Sequence, residues 1–218
     1  MSDSHYFDDQ PSIESDVRRI PLHLADLAVE LDVDRGVFSA TKIDAGTRVL
    51  LVEAAQPGDA TTILDVGCGY GPIACTVASR APNASVWAID VNARARDLCA
   101  ANAARLGLDV SVFAPDDVPA EQTFDLIVSN PPIRIGKKNL HALLEKWLDR
   151  LTPHGRAELV VQKHLGSDSL QKWLTGQGWV TTRLTSRSGY RVLVVQPRAT
   201  REPAPSMADT PGDETTAS

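Results

Sequence analysis

The apolar positions of this chain change period along its length. Between Ile20 and Val33 they alternate with more polar ones: Ile20, Leu22 and Leu24 before a break near Ala25-Asp26, then Leu27, Val29, Leu31 and Val33. A period of two belongs to a strand with one buried face, so this stretch predicts a hairpin. Asp44-Ala-Gly-Thr47 then precedes Val49-Leu50-Leu51-Val52, a capping residue ahead of an apolar run, which predicts a helix start. From Thr61 onward, short apolar runs take turns with helix-period segments. Strands are predicted at 61–66, 84–90, 109–113, 123–129 and 156–162, and helices at 71–81, 92–106, 139–151 and 167–177. Trp147 and Trp173 fall at packing positions of the last two helices.

Strand-helix repetition of this kind needs right-handed crossovers and lays helices on both faces of a mostly parallel sheet. The last two apolar runs, 179–187 and 190–196, are separated only by Ser188-Gly189 and should pair as an antiparallel hairpin. The expected fold is therefore α/β, with a doubly wound, mostly parallel seven-stranded sheet ending in a C-terminal antiparallel hairpin. Helices cover both faces, and a short N-terminal β-hairpin extends the domain. The tail from Ala199 is rich in Pro, Ala, Thr, Asp and Ser and has little to bury, so it is expected to be disordered. The chain divides into an acidic, flexible stretch at 1–16, a hairpin segment at 17–43, the main domain at 44–198 and the tail at 199–218.

Composition adds few surprises. At 218 residues and 43% hydrophobic, the chain suits one domain with a self-sufficient core. Cys68, Cys75 and Cys99 are an odd number without a CxxC pair, which indicates neither a disulfide framework nor a zinc site. The apolar runs are far shorter than the ~20 residues that cross a bilayer, and the N-terminus is acidic where a signal peptide is basic. A soluble protein of the reducing cytoplasm is expected. The net charge of −6 is unevenly spread: Asp3, Asp8, Asp9, Glu14 and Asp16 put −5 into residues 1–16, and residues 199–218 carry −3. Removing both leaves +2 for the body, so an anionic partner is permitted.

The candidate chemistry starts at Ile63-Leu-Asp-Val-Gly-Cys-Gly-Tyr-Gly-Pro-Ile-Ala74, where Gly67, Gly69 and Gly71 lie between a strand and a helix whose first turn holds Pro72. Glycines there let a ligand approach the backbone at a helix N-terminus. By itself the loop also fits a structural turn, or a dinucleotide site through Gly69, Gly71 and Ala74. Two acids narrow the choice. Asp90 ends the next strand, about 20 residues on, where a carboxylate can accept from both ribose hydroxyls of a nucleotide. Asp65 would be unhelpful beside a pyrophosphate but welcome beside an ammonium group, and S-adenosylmethionine has an ammonium and no phosphates. A third acid, Asp116 or Asp117, can accept from an adenine amino group or lie in a solvated turn. Further on, Ser129-Asn-Pro-Pro-Ile-Arg134 follows an apolar strand, and its two prolines cannot donate to a sheet ladder.

The run LDVGCGYG, the strand-end Asp90 and NPPI at 130–133 together resemble the class I S-adenosylmethionine-dependent methyltransferases, specifically the methyltransferase small domain group. That group includes ribosomal RNA guanine-N2 methyltransferases. The resemblance covers roughly residues 36–197 and includes Gly36-Val-Phe-Ser39 with Asp44-Ala-Gly-Thr47, which resembles the segment that packs against the cofactor and so implicates Phe38. It implies that the Asn130 side-chain oxygen and the Pro131 carbonyl accept hydrogen bonds from a planar amino group, with Pro132 adding rigidity. Methyl transfer from a sulfonium is an in-line displacement, and orientation alone can be worth about 7–11 kcal/mol. Two non-coplanar acceptors also help a conjugated amine to pyramidalise, so no strong base is needed.

Position 133 departs from the group's commonest pattern: many members stack an aromatic ring there, and this chain has Ile133. Arg134, Lys137 and Lys138 follow, to bind phosphates near an extruded nucleotide or to form a solvated face; Gln162 and Lys163 are weaker candidates. The implied substrate is an exocyclic amine, first guanine N2 in ribosomal RNA or a ribosomal subunit. A protein glutamine amide, a nicotinamide-dependent oxidoreductase and a non-catalytic RNA-binding module are the alternatives.

Overall fold

The computed structural model describes residues 14–39 and 41–198. The expectations for residues 1–13 and for the tail at 199–218 lie outside the described residues. An antiparallel hairpin comes first, β1 (Arg18–His23) with β2 (Ala28–Val33). Its inward positions Ile20, Leu22, Leu31 and Val33 are buried while their neighbours face out, as the alternation requires. Ahead of it, the Ser15 hydroxyl and the Asp16 N–H both donate to Asp34 (2.8 and 2.6 Å), so this end of the acidic stretch is tied to the body.

The main domain runs α1 (Ala45–Glu53), β3 (Thr62–Val66), α2 (Pro72–Arg80), β4 (Ser85–Ile89), α3 (Ala93–Arg105), β5 (Val110–Phe113), β6 (Phe124–Ser129), α4 (Lys137–Leu148), β7 (Leu151–Gln162), α5 (Ser167–Gly176), β8 (Val180–Arg187) and β9 (Tyr190–Gln196). The seven strands lie in the order β5-β4-β3-β6-β7-β9-β8. Every pair from β5 to β7 is parallel, and β9 joins both β7 and β8 antiparallel. The expected sheet and hairpins are all present. Strand β7 begins at Leu151, five residues before the expected 156, and α4 ends at Leu148. The expected helix therefore stops three residues early: Asp149 and Arg150 form a turn, and the Arg150 carbonyl already accepts from Phe124 N–H at 2.9 Å.

Alternate residues of each central strand feed two cores. Ile63, Leu126, Val128, Val160 and Val192 meet α1, α2, α3 and the hairpin, while Leu64, Ile127, Leu159, Val161 and Leu193 meet α4 and α5. Helix α4 buries Leu140, Leu144, Trp147 and Leu148, one stripe at helical spacing. Trp147 belongs to this core, whereas the half-buried Trp173 stacks on His141 with ring centres 3.7 Å apart. Two buried polar side chains lock the layers. The Asn102 side chain exchanges hydrogen bonds with the Asp32 backbone (2.7 and 2.8 Å) and also donates to the Tyr70 carbonyl at 2.9 Å, joining the hairpin, α3 and the turn after β3. Glu158 accepts from the Ala55 N–H at 2.6 Å, fixing the end of α1 to the sheet. Among the described residues no helix is long and apolar enough to cross a membrane.

The chain enters the sheet at β3, moves outward through β4 and β5, then returns to the other side of β3 as β6. Strand order reverses between β3 and β6, and the carboxyl ends of strands at such a point form a natural ligand crevice.

Candidate active site

The β3–α2 turn opens this crevice. Gly67 and Gly69 take left-handed conformations (φ 76° and 56°), and a β-carbon added to either would meet no atom within 4 Å. Both face open space, as a backbone must if a ligand is to lie against it. Gly71 (φ 92°) differs, because its β-carbon would sit 2.8 Å from Cys99 Sγ. It is the seat on which α3 packs against the start of α2. The three glycines thus divide into two that clear a surface and one that closes a core.

Asp65 lies at the end of β3 and is fully buried. Its Oδ2 accepts from Ala74 N–H at 2.9 Å, and its Oδ1, equally enclosed, has no hydrogen-bond partner. Burial pushes its carboxyl up to about 8, with the Asp90 charge adding and the Ala74 N–H opposing. Such an orphaned oxygen suits a cationic donor, reached directly or through a water. Asp90 is held at the end of β4 by two backbone donors, Gly69 N–H on Oδ2 and Asn92 N–H on Oδ1, both 2.9 Å. Burial raises this carboxyl as well, against those two hydrogen bonds. Each oxygen keeps a lone pair for a ribose hydroxyl. Asn92 caps α3 and donates to the Gly36 carbonyl at 3.0 Å, which anchors Gly36-Val-Phe-Ser39 beside the crevice and leaves Phe38 57% exposed. Asp116 is exposed beyond β5 and paired with Lys146 Nζ at 2.9 Å, which holds its carboxyl below the usual range.

Across the switch point, Asp65 pairs in register with Val128, and Ser129 donates from Oγ to the Val66 carbonyl at 2.7 Å. Asn130 therefore emerges next to the glycine turn. Its Nδ2 donates to Asp44 Oδ2 at 2.8 Å and to Thr47 Oγ1 at 3.0 Å. An ionised carboxylate only accepts, so the amide nitrogen must face Asp44 and the amide oxygen is the atom presented elsewhere. The Pro131 carbonyl accepts from Ile133 N–H at 2.8 Å around Pro132 (φ −74°, ψ 78°), an inverse γ-turn that fixes the carbonyl and leaves it one lone pair.

Ile133 is partly buried against the core under α4 and α5. Arg134, Lys137 and Lys138 are exposed just beyond it. Lys163 follows β7, with its N–H on the Gly189 carbonyl at 2.8 Å. The structure brings Asp65, Gly67, Gly69, Asp90 and Asn130 to one edge and leaves Asp116 on the outer surface. Sequence reading missed how Asn130 is held. Asp44 both caps α1, accepting from Thr47 N–H at 3.0 Å, and takes the amide of a residue 86 positions away. The helix-start signal at Asp44 carries no trace of that second partner.

A doubly wound sheet with this glycine turn, its two strand-end acids and an Asn-Pro-Pro corner at the switch point defines a methyltransferase of the S-adenosylmethionine-dependent class. The chain belongs to the methyltransferase small domain family, whose model matches residues 28–194. It is 38% identical over 193 residues to a Bacillus subtilis (strain 168) protein named "Uncharacterized protein YbxB", covering 87% of this chain and 96% of the other. It is also 38% identical over 122 residues to the ribosomal RNA small subunit methyltransferase C of Aeromonas hydrophila subsp. hydrophila, covering 55% of this chain and 34% of that protein. The solved T. thermophilus 16S rRNA N2 G1207 methyltransferase (RsmC), in complex with AdoMet and guanosine, shares the fold with a TM-score of 0.72 at 23% identity, over 86% of this chain and 52% of the other. The chain thus spans between about a third and half of the length of these two ribosomal RNA methyltransferases.

Proposed function

We propose that this chain methylates an exocyclic amino group, the N2 of a guanine in ribosomal RNA. The observation that carries the reading is the fixed Asn130 side chain: Asp44 and Thr47 take both bonds of its amide nitrogen, so its oxygen is set as an acceptor before any substrate arrives. The Pro131 carbonyl, held by its γ-turn, is the second acceptor. Two rigid acceptors outside the plane of an aromatic amine favour the pyramidal geometry the nitrogen adopts as it attacks, and they need not reorganise during the reaction. The surplus proton leaves after transfer, when the alkylated nitrogen is strongly acidic.

The cofactor, when bound, supplies an electrophilic methyl group on a sulfonium. Asp65 would face its ammonium, Gly67 and Gly69 its backbone-hugging portion, Asp90 its ribose hydroxyls, and Phe38 the rim. Gly71 shapes this site by packing. Asp116 pairs with Lys146 through Oδ1 and would keep Oδ2 for an adenine amino group. Ile133 would offer aliphatic contact to the base, without the ~1–3 kcal/mol that an aromatic stack brings. Arg134, Lys137 and Lys138 would meet phosphates beside the extruded nucleotide. The RNA substrate is further supported by the names of the relatives, which include ribosomal RNA small subunit methyltransferases.

The test is transfer from methyl-labelled S-adenosylmethionine to undermethylated small-subunit RNA or assembled subunits, followed by nucleoside mass spectrometry. Label in N2-methylguanosine is expected. Label confined to protein glutamine would replace the nucleobase reading, and cofactor binding without transfer to either would replace the enzyme reading with a binding module.

A further inference from the structure

An aromatic ring, Tyr190, stands at the carboxyl edge of the sheet beside α1. Tyr190 opens β9, and because β9 runs antiparallel to β7 its first residue lies at the carboxyl edge of the parallel strands, opposite Gln162. The partly buried ring reaches α1. A β-carbon built on Gly46 would stand 2.8 Å from Tyr190 Cε1, 3.0 Å from Cδ1 and 3.0 Å from Asp44 Oδ2. One notch, left by the missing side chain of Gly46, therefore receives both the edge of the Tyr190 ring and the oxygen that accepts from Asn130. Gly46 is itself buried and takes an ordinary helical conformation, so close approach, and no demand for a left-handed backbone, explains the glycine in Asp44-Ala-Gly-Thr47.

We propose that Tyr190 is a positioning residue for methyl transfer: its ring, seated in the Gly46 notch, walls Asp44 off from water and holds that carboxylate on the Asn130 amide. The catalytic consequence rests on the reading of Asn130 given above; the contact itself does not. Asp44 Oδ2 is shared between Thr47 N–H and Asn130 Nδ2, and a shared acceptor is easily lost to competing water. An aromatic wall lowers the local dielectric and removes that competitor, which strengthens both hydrogen bonds. Two adjacent atoms of the ring edge, Cδ1 and Cε1, take the space that a side chain on Gly46 would fill. The partly buried ring also packs on the core beneath α1, which fixes its orientation. Position 133 carries no ring in this chain; the Tyr190 ring instead stands beside the carboxylate that takes the Asn130 amide, a carboxylate that Tyr70 also neighbours.

Two readouts separate this inference from the functional reading. The first needs no substrate: hydrogen exchange of the Asn130 side-chain amide by NMR, with the resonance assigned by its loss in Asn130→Asp. Tyr190→Leu is expected to speed that exchange at least about tenfold, as the shielded bonds open, while Tyr190→Phe exchanges as the wild type does. Unchanged exchange in the Leu variant would overturn the proposal whatever the substrate is. The second readout is turnover on small-subunit RNA. Tyr190→Leu should lower kcat by about tenfold to a hundredfold, the scale of a small misplacement at a reacting centre, with S-adenosylmethionine affinity unchanged. Tyr190→Phe should restore kcat; failure to do so would assign the effect to the hydroxyl and overturn the wedge. Should the Leu variant not fold, Gly46→Ala fills the notch with Tyr190 in place. It is expected to speed the same exchange, and wild-type exchange in a folded Gly46→Ala protein would equally overturn the proposal.

Discussion

The carboxylate of Asp44 and the side-chain amide of Asn130 meet at 2.8 Å, joining a helix N-cap to the corner that ends β6. The pair sets which atom of Asn130 is available. Asn130→Ala is expected to bind S-adenosylmethionine as the wild type does and to lose about a hundredfold or more in kcat, on the scale seen when one preorganised polar group is removed from a reacting centre. Asp44→Ala should lose turnover too, and in addition about 0.5–2 kcal/mol of stability with the lost cap. Calorimetry, turnover and thermal melts separate the two variants; full activity of the first would remove Asn130 from the mechanism, and of the second would remove the hold of Asp44 on it.

Asp65 gives a pH dependence with a defined sign. Its carboxyl stands at about 8 in the folded protein against an ordinary 3.8. Between those values the folded state holds a proton that the unfolded state has released, so this residue lowers stability as pH rises through that window. Asp65→Asn should therefore melt above the wild type by a margin that widens as pH rises from 5 to 8. Binding a cationic group beside Asp65 needs the charged form, so wild-type affinity for S-adenosylmethionine should weaken from pH 8 to pH 6 and the Asn variant should bind poorly throughout. An affinity flat across that range would sink the ammonium contact.

The glycines of the turn should fail in different ways. Gly69→Ala puts a methyl group into open space from a left-handed backbone, costing about 1–2 kcal/mol of strain and most of the cofactor affinity. Gly71→Ala drives its methyl against Cys99 Sγ and Cα (2.8 and 3.3 Å), adding about 1–3 kcal/mol of overpacking to similar strain. Melting temperature is the sensitive measure for the second variant and cofactor affinity for the first. Asp90→Ala should weaken cofactor binding by about 1.5–3 kcal/mol per lost charge-assisted hydrogen bond.

Lys137 and Lys138 are exposed on the first turn of α4, beside the Asn130 corner. If both meet phosphates, replacing both with Gln should lower RNA affinity and reduce the slope of log K against log salt by up to about 2. Filter binding across a salt series checks this, and an unchanged slope would return them to the solvated surface.

The sequence by itself determined the layered sheet and the identity of its crevice. Alternating strand and helix periods dictate parallel crossovers, and the glycine turn, Asp90 and Asn-Pro-Pro are local signals whose chemistry is written in adjacent residues. Even so, the pattern placed the start of β7 late, since the residues from Leu151 onward join the ladder through a strand 27 positions earlier, at Phe124. Only the tertiary structure decided what sets those groups to work. Nothing near Asp44 announces Asn130, nothing near Gly46 announces Tyr190, and nothing in the glycine spacing separates Gly71, which packs on Cys99, from Gly67 and Gly69, which face open space. Nor does anything near Asp116 announce its surface ion pair with Lys146, 30 positions on. The physical reason is common to all four. Periodicity and turn chemistry act within a few residues, whereas hydrogen-bond partners and packing notches form between segments that meet only once the sheet has assembled.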